Sequence, residues 1–388
     1  MGENLTGRPD APGYSMKRKR IDRKKRSLAR PRDWESLADT AFSRDLSRHR
    51  RALAKLPEAS VQRALATLPE RFTPNGVVIS HTKKWAFVQF YTPPEGAEGR
   101  WEHLCLVDER LPEGEESLLA PGDEVYVERE GDELVVRGIA PRRTRLARLA
   151  GPHERVRVQV LAANADLLAI VASTTHPPFR PGLIDRFLIA ATAGGVSPVL
   201  VVNKLDLAPM PPEAKLIYEP IGVPVIGTSC VTGEGIQELA SHLRGRTCVL
   251  AGHSGVGKSS LLSALDPNLR VITQEVTPDG RGRHTTTLAR LYVLREDIRV
   301  IDTPGIRALG LWNITPEAVM FYYPEIAEHA VSCRFRNCTH THEPSCAVKA
   351  AVSEGKIPEL RYASYRRVLA SLASEEQITP GRTRPRES

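Results

Sequence analysis

Two hydrophobic rhythms divide the chain. From Asn75-Gly76 onward, the short runs GVVIS, WAFVQFY, HLCLV, DEVYVER and DELVVRGI alternate with Pro, Gly and Asp turns, a β-type pattern. Five such strands predict a small all-β barrel, for which an oligonucleotide-binding (OB) fold and an SH3-like barrel both stand open. Beyond Arg142-Arg143-Thr144-Arg145, which reads as a basic linker, the rhythm changes. DLLAIVAS, SPVLVVNK, VPVIGTS, TCVLAG and IRVIDTPG are nearly continuous apolar runs, as parallel strands covered on both faces by helices must be. Ahead of the barrel, Leu46, Leu53, Leu56 and Leu65 have helical spacing among Arg and Ala and predict short basic helices. A further helical segment is expected near Pro358 to Leu372.

Composition narrows the class. At 388 residues the chain is too long for one core and predicts several domains. With 41% hydrophobic and 26% charged residues it reads as a soluble folded protein, and no apolar run reaches the roughly 18 residues a membrane span needs. The N-terminus lacks an apolar secretory signal, so a cytoplasmic, reducing compartment is expected, and the six cysteines read as ligands or core residues rather than disulfides. The net charge of +8 is concentrated in Lys17-Arg18-Lys19-Arg20-Ile21-Asp22-Arg23-Lys24-Lys25-Arg26. That block predicts a disordered arm suited to a phosphate backbone, though a nuclear-import signal has the same composition.

The chemistry sits in the second rhythm. Gly252-His253-Ser254-Gly255-Val256-Gly257-Lys258-Ser259-Ser260 follows an apolar run and opens a helical one, the setting of a phosphate loop. Glycines let backbone N–H groups surround phosphate oxygens, Lys258 offsets their charge, and Ser259 offers a hydroxyl to Mg²⁺. Asn203-Lys204-Leu205-Asp206 supplies a carboxylate that matches the paired N1–H and N2–H₂ donors of guanine, which adenine lacks. Ser229-Cys230, after the next strand, forms a second base-supporting loop. Asp302-Thr303-Pro304-Gly305 fits a γ-phosphate sensor, with Asp302 linked to Mg²⁺ and Gly305 giving an N–H. The Gly-rich run from Gly280 to Thr287 fits the partner switch, in which Thr286, or else Thr285 or Thr287, completes the Mg²⁺ shell.

The order of these motifs is rotated: base reader, base support, phosphate loop, switches. A site built from loops gathered in space survives such a cut in the chain. The rotation leads the γ-phosphate sensor toward the C-terminal segment, so nucleotide state is expected to move that segment. Ile306 stands where many GTPases place a water-orienting glutamine, which leaves His284 as the in-chain candidate for activating water, with a contact to RNA or solvent as its alternative. Cys333-x4-Cys338-x-His340-x5-Cys346 offers three thiolates and an imidazole for one structural Zn²⁺, with His342 an alternative to His340. The metal is expected to hold together a segment too short for a core of its own. Cys105, Cys230 and Cys248 read as small core residues.

Taken together, NKLD, GHSGVGKSS, GRHTTT, DTPGI, the CxxxxCxHxxxxxC pattern and RYASY resemble the circularly permuted, small-ribosomal-subunit-dependent GTPases of bacterial ribosome assembly. The resemblance runs from about Gly76 to Leu372. It implies a multidomain fold with a small all-β OB barrel, an α/β circularly permuted P-loop GTPase domain and a C-terminal zinc-binding α-helical domain. The boundaries expected are 1–70 for a basic extension, 71–142 for the barrel, 143–318 for the GTPase, 319–375 for the zinc domain and 376–388 for a disordered tail. It also implies GTP hydrolysis to GDP stimulated by the small ribosomal subunit, contact with its rRNA, a monomer, and a catalytic histidine at His284. Two departures are the long extension before Gly76 and the third barrel strand, HLCLVDERL, where the family carries a basic, glycine-containing segment. A nucleotide-gated RNA-binding module is the rival reading. A metal-delivery GTPase would need an exchangeable site, against which four protein ligands argue.

Overall fold

A computed structural model of the protein describes residues 72–94, 101–111, 116–150, 157–269, 289–303, 311 and 314–378. The basic arm, the helical spacing before Pro69, His284, Thr285, Thr286, Thr287, Gly305 and Ile306 lie outside them.

The alternating segment forms β1 (Gly76–His81), β2 (Trp85–Phe90), β3 (Glu102–Val107), β4 (Glu124–Glu130) and β5 (Glu133–Ile139), closed in the order β1-β2-β3-β5-β4. The period of two turns Ala86, Val88 and Phe90 inward to meet Val78, Cys105, Val125 and Val136. β4 returns antiparallel to β1 while β3 runs parallel to β5. This is the OB-like order, and it decides against the SH3-like alternative.

The basic stretch expected as a linker is instead a joint. The Arg142 Nε donates to the fully buried Asp123 at 2.7 Å, and its Nη2 donates to the carbonyls of Ser117 and Leu118 at 3.1 Å each. Arg143 N–H donates to Asn164 Oδ1 at 2.8 Å, and Asn164 Nδ2 donates to Gly122 O at 3.0 Å. Composition does not distinguish a solvated basic run from a guanidinium that satisfies several buried acceptors at once. The joint enters an antiparallel hairpin, β6 (Arg145–Ala150) and β7 (Arg157–Ala163), which the apolar runs did not reveal.

The buried runs form a six-stranded sheet: β8 (Leu167–Ser173), β9 (Ser197–Asn203), β10 (Val225–Gly227), β11 (Thr247–Gly252), β12 (Arg290–Val293) and β13 (Arg299–Asp302), in the order β10-β9-β8-β11-β13-β12. All neighbours are parallel except β12, which is antiparallel to β13. β8 shows why its sequence is unbroken apolar. Leu168, Ile170 and Ala172 pack on one face with α1 (Pro181–Ala193) and α2 (Pro212–Tyr218). Leu167, Ala169 and Val171 pack on the other with α3 (Ile236–Leu243) and α4 (Lys258–Leu265). Polar residues are therefore confined to strand ends, and β9, β11 and β13 end in Asn203, Gly252 and Asp302 along one edge. The barrel sits against the same sheet, since Ile79 of β1 shares a core with Leu291 and Ile301.

After a 3₁₀ turn, Pro316–Tyr322, come α5 (Pro324–Ala330), α6 (Ala347–Ser353) and α7 (Glu359–Ile378). This unit was expected to lack a core, but Ile314, Val319, Tyr323, Ile326, Val348, Ile357 and Val368 form one, with Ile189 of α1 inside it. The helix runs through Ile378, into the segment expected as a tail from 376, because Glu376 and Gln377 favour helix and no breaker intervenes before Pro380. At the junction with α1, the Arg361 guanidinium is 1% exposed and donates to Asp185 of α1 and Glu325 of α5, lying 4.4 Å from the Tyr323 ring centroid. Tyr218 Oη donates to the same Asp185 carboxylate at 3.1 Å. Replacing Arg361 with Leu strands two carboxylates, one of them fully buried, and should lower unfolding free energy by about 3–5 kcal/mol. Urea denaturation followed by circular dichroism measures it; a loss under about 1 kcal/mol would show the junction to be peripheral.

Candidate functional site

The phosphate loop is shaped by steric exclusion. Gly252 (φ +148°) and Gly257 (φ +98°) occupy backbone regions closed to other residues, and a Cβ on Gly257 would stand 2.3 Å from Asn203 Nδ2. The loop leads into α4, whose first turn carries Lys258, Ser259 and Ser260. There the unpaired N–H groups of a helix start favour an anion. Lys258 Nζ donates to Gly252 O at 2.9 Å and His253 O at 3.0 Å, so the lysine lies along its own loop. His253 Nδ1 lies 2.7 Å from Ser254 O, and Ser254 and Gly255 are exposed while Val256 is buried. Burial lowers the Lys258 pKa and raises that of Asp302, and each opposes the other's shift, which places the two charges within reach of each other.

The base-reading loops are tied to this loop by one side chain. Asn203, 2% exposed, donates from Nδ2 to Val256 O at 3.0 Å and accepts at Oδ1 from Thr228 Oγ1 at 3.1 Å and the Cys230 thiol at 3.6 Å. Ser229 Oγ donates to Asp206 Oδ1 at 2.7 Å and accepts from the N–H groups of Val231 and Thr232. The exposed Asp206 carboxylate is thus oriented while keeping its second oxygen for a ligand. Lys204 adopts φ +71°, and its Nζ donates to His176 O while its carbonyl accepts from Thr174 Oγ1 at 2.9 Å. Cys248 and Cys105 are fully buried, but Cys230 borders the base loop and is not an ordinary core residue.

Asn203, Asp206, Ser229, Cys230, the phosphate loop and Asp302 therefore share one sheet edge. Thr174 and His176 were missed. They follow β8, and the rule that ligands gather at strand ends pointed to that loop as much as to the others.

The second centre is the Cys/His cluster, where the ligand atoms of Cys333, Cys338, His340 and Cys346 all lie within 4.8 Å of one another. Tetrahedral bonds of about 2.3 Å to sulfur and about 2.0–2.1 Å to nitrogen would put two sulfurs about 3.8 Å apart and sulfur and nitrogen about 3.5 Å apart. The Cys333 and Cys346 sulfurs are 3.8 Å apart, and each lies 3.5 Å from His340 Nδ1. Burial lowers the His340 pKa, leaving the neutral imidazole a metal needs, while burial and neighbouring sulfurs raise Cys338. A cation bound between the sulfurs would favour their thiolate forms. His340 (φ +60°) and Ser345 (φ +55°) hold backbone conformations costing about 1–3 kcal/mol each, which closing a metal site would offset. His342 is not in the cluster, its side chain being 82% exposed. Glu343 braces the loop instead. Burial alone would raise its pKa, but hydrogen bonds from Thr339 and Thr341 bring it down to about 2.

The RsgA GTPase family profile matches residues 139–312. The chain is 41% identical over 284 residues to the Bordetella pertussis small ribosomal subunit biogenesis GTPase RsgA, covering 70% of this chain and 93% of that one. It is 39% identical over 281 residues to Vibrio vulnificus small ribosomal subunit biogenesis GTPase RsgA 1, covering 69% and 77%. The crystal structure of YjeQ from Thermotoga maritima superposes with a TM-score of 0.59 at 30% identity, covering 77% of this chain and 98% of that one. That of YloQ, described as a circularly permuted GTPase, gives 0.56 at 26% identity, covering 82% and 98%. The chain belongs to the RsgA GTPase family and is a GTP-hydrolysing P-loop enzyme whose nucleotide motifs run in rotated order.

Proposed function

We propose that this GTPase binds the small ribosomal subunit, hydrolyses GTP to GDP and phosphate late in the subunit's maturation, and leaves when hydrolysis is complete. The observation that carries this reading is the Asn203 bridge from the base loops to Val256 of the phosphate loop, in a chain whose relatives are named for small-subunit biogenesis. Asp206 accepts from guanine, Lys258 and the loop N–H groups hold the phosphates, and Ser259 and Asp302 hold Mg²⁺ with a switch threonine, Thr286 first among Thr285 to Thr287. Bound Mg²⁺ neutralises charge on the transferring phosphoryl group. Gly305 contributes an N–H to the γ-phosphate, and His284 orients the water that Ile306 cannot. Cys333, Cys338, His340 and Cys346 hold one structural Zn²⁺, with no open position for chemistry.

The partner surface is rRNA, and the protein works as a cytoplasmic monomer. No helix among the described residues is long and apolar enough to cross a membrane. On the barrel, Arg110 and Arg137 beside β3 are ion-paired with Asp108, Glu128 and Glu130. Backbone contacts to RNA therefore fall more to the basic arm and the helical unit than to that face.

Three outcomes test the reading. Asp206→Asn removes an acceptor for two charge-assisted hydrogen bonds of about 1.5–3 kcal/mol each, so GTP affinity should fall by roughly 10²–10⁴-fold by calorimetry, with xanthosine triphosphate now preferred. Purified small subunits should accelerate phosphate release at saturating GTP, and identical rates with and without them would end the assembly-factor reading. Elemental analysis should find one zinc per chain in the wild type and none in Cys346→Ser, whose helical unit should become protease-sensitive; a metal-free, protease-resistant wild type would refute the structural role.

A further inference from the structure

The nucleotide pocket and the C-terminal helical unit are separate in sequence, but α1 touches both. Its N-terminal approach, Ser173 to Arg180, is bound into the pocket. Thr174 N–H donates to Asn203 O at 3.1 Å and Thr174 Oγ1 to Lys204 O at 2.9 Å, while His176 O accepts from Lys204 Nζ. Ser173 Oγ fastens the turn by donating to Pro177 O at 2.6 Å, and Pro177 Cδ lies 3.8 Å from where a Cβ on Gly255 of the phosphate loop would stand. A water-sized gap between Pro177, Leu183, Phe187, His253 and Val256 separates the start of α1 from that loop. The body of α1 belongs to the other unit. Asp185 is paired with Arg361, Arg186 Nη1 donates to Ser371 Oγ at 3.1 Å, and Ile189 lies in the helical unit's core.

We propose that α1 is a release lever: a load that displaces the helical unit is carried through α1 to the Thr174–Pro177 turn and loosens the parts of the pocket that GDP and GTP share. The inference rests on the nucleotide reading above. It differs from coupling through the γ-phosphate sensor in one decisive respect. Asn203 and Lys204 belong to the base-reading loop and Gly255 to the phosphate loop, and the base and the phosphates common to GDP and GTP are present in both nucleotides, so the lever acts on occupancy and leaves the preference between GTP and GDP unchanged. A partner that grips the helical unit thereby promotes exchange after hydrolysis.

Gly182, in the first turn of α1, supplies a clean wedge. A Cβ there would meet Arg367 Nη1 at 3.6 Å and Ser364 Oγ at 3.8 Å, both ordinary contacts, so Ala fits and a larger side chain is directed against Arg367 and Ser364 of α7. Gly182→Leu and Gly182→Ala, both good helix formers, are compared with wild type in the full chain. Release of a fluorescent GDP and of a fluorescent non-hydrolysable GTP analogue is followed after chasing with excess unlabelled nucleotide, and hydrogen exchange of α7 reports that the junction has opened. The expected result is that Leu opens α7 and speeds both releases by the same factor, between about fivefold and about 150-fold, while Ala changes neither and single-turnover cleavage of bound GTP is unaltered. An opened junction with unchanged release, or acceleration confined to the GTP analogue, overturns the lever; so does a Leu variant in which α7 stays closed yet release quickens. Failure of the wild type to bind GDP would instead sink the nucleotide reading itself.

Discussion

A parallel strand covered by helices on both faces has nowhere to place a polar group except at its ends, and the rest of this molecule follows from that constraint. Along β8 successive side chains go to two different cores, so the first residues free to carry chemistry lie just past Ser173. The same holds at Asn203, Gly252 and Asp302. Because the chemistry is assigned to an edge rather than to a stretch of chain, the order of the loops is a matter of connectivity alone, and rotating the motifs leaves the pocket intact. What rotation changes is which neighbours the pocket acquires.

Those neighbours attach at two different places. The barrel packs through Ile79 on β12, which follows the Gly280–Thr287 run in sequence, and on β13, which ends at Asp302. The helical unit packs on α1, which begins beside the base loop and the phosphate loop. On the proposed reading, a shift at the first attachment moves groups assigned to the γ-phosphate and Mg²⁺, whereas a shift at the second moves groups assigned to the base. The barrel is held firmly, since Arg142 satisfies Asp123 and two carbonyls at the joint while Asn164 bridges to Gly122. The helical unit is held by a buried charge pair whose partners demand one relative placement. Such a pair resists small slippage more than it favours association, so the junction tends to hold or to part as a whole.

Most of what could be read in advance was local. The strands declared themselves by period, the phosphate loop and NKLD by spacing, and the metal cluster by ligand type, because in each case the physical requirement falls on residues close in sequence. The misses were long-range. Arg142 read as part of a basic linker and Arg361 only as a letter of RYASY, because nothing nearby in sequence supplies Asp123 or Asp185. The β6–β7 hairpin, rich in Ala and Arg, gave too weak an alternation. The helical unit's core was invisible for the same reason: Val319, Ile326 and Val348 lie on different short elements and make a core only once α7, with Val368, packs against them.

The rotated order first suggested that a covalent link, from the γ-phosphate sensor onward into the Cys/His segment, is what joins hydrolysis to movement of that segment. The folded arrangement adds a second connection that the chain path does not show. Between the base loop and the same unit that connection is α1, a helix, which transmits push, pull and twist. In the lever proposed above, displacement of the helical unit is felt at the base loop whatever the state of the γ-phosphate. Rotation of the motifs is what allows both connections to end on the same unit.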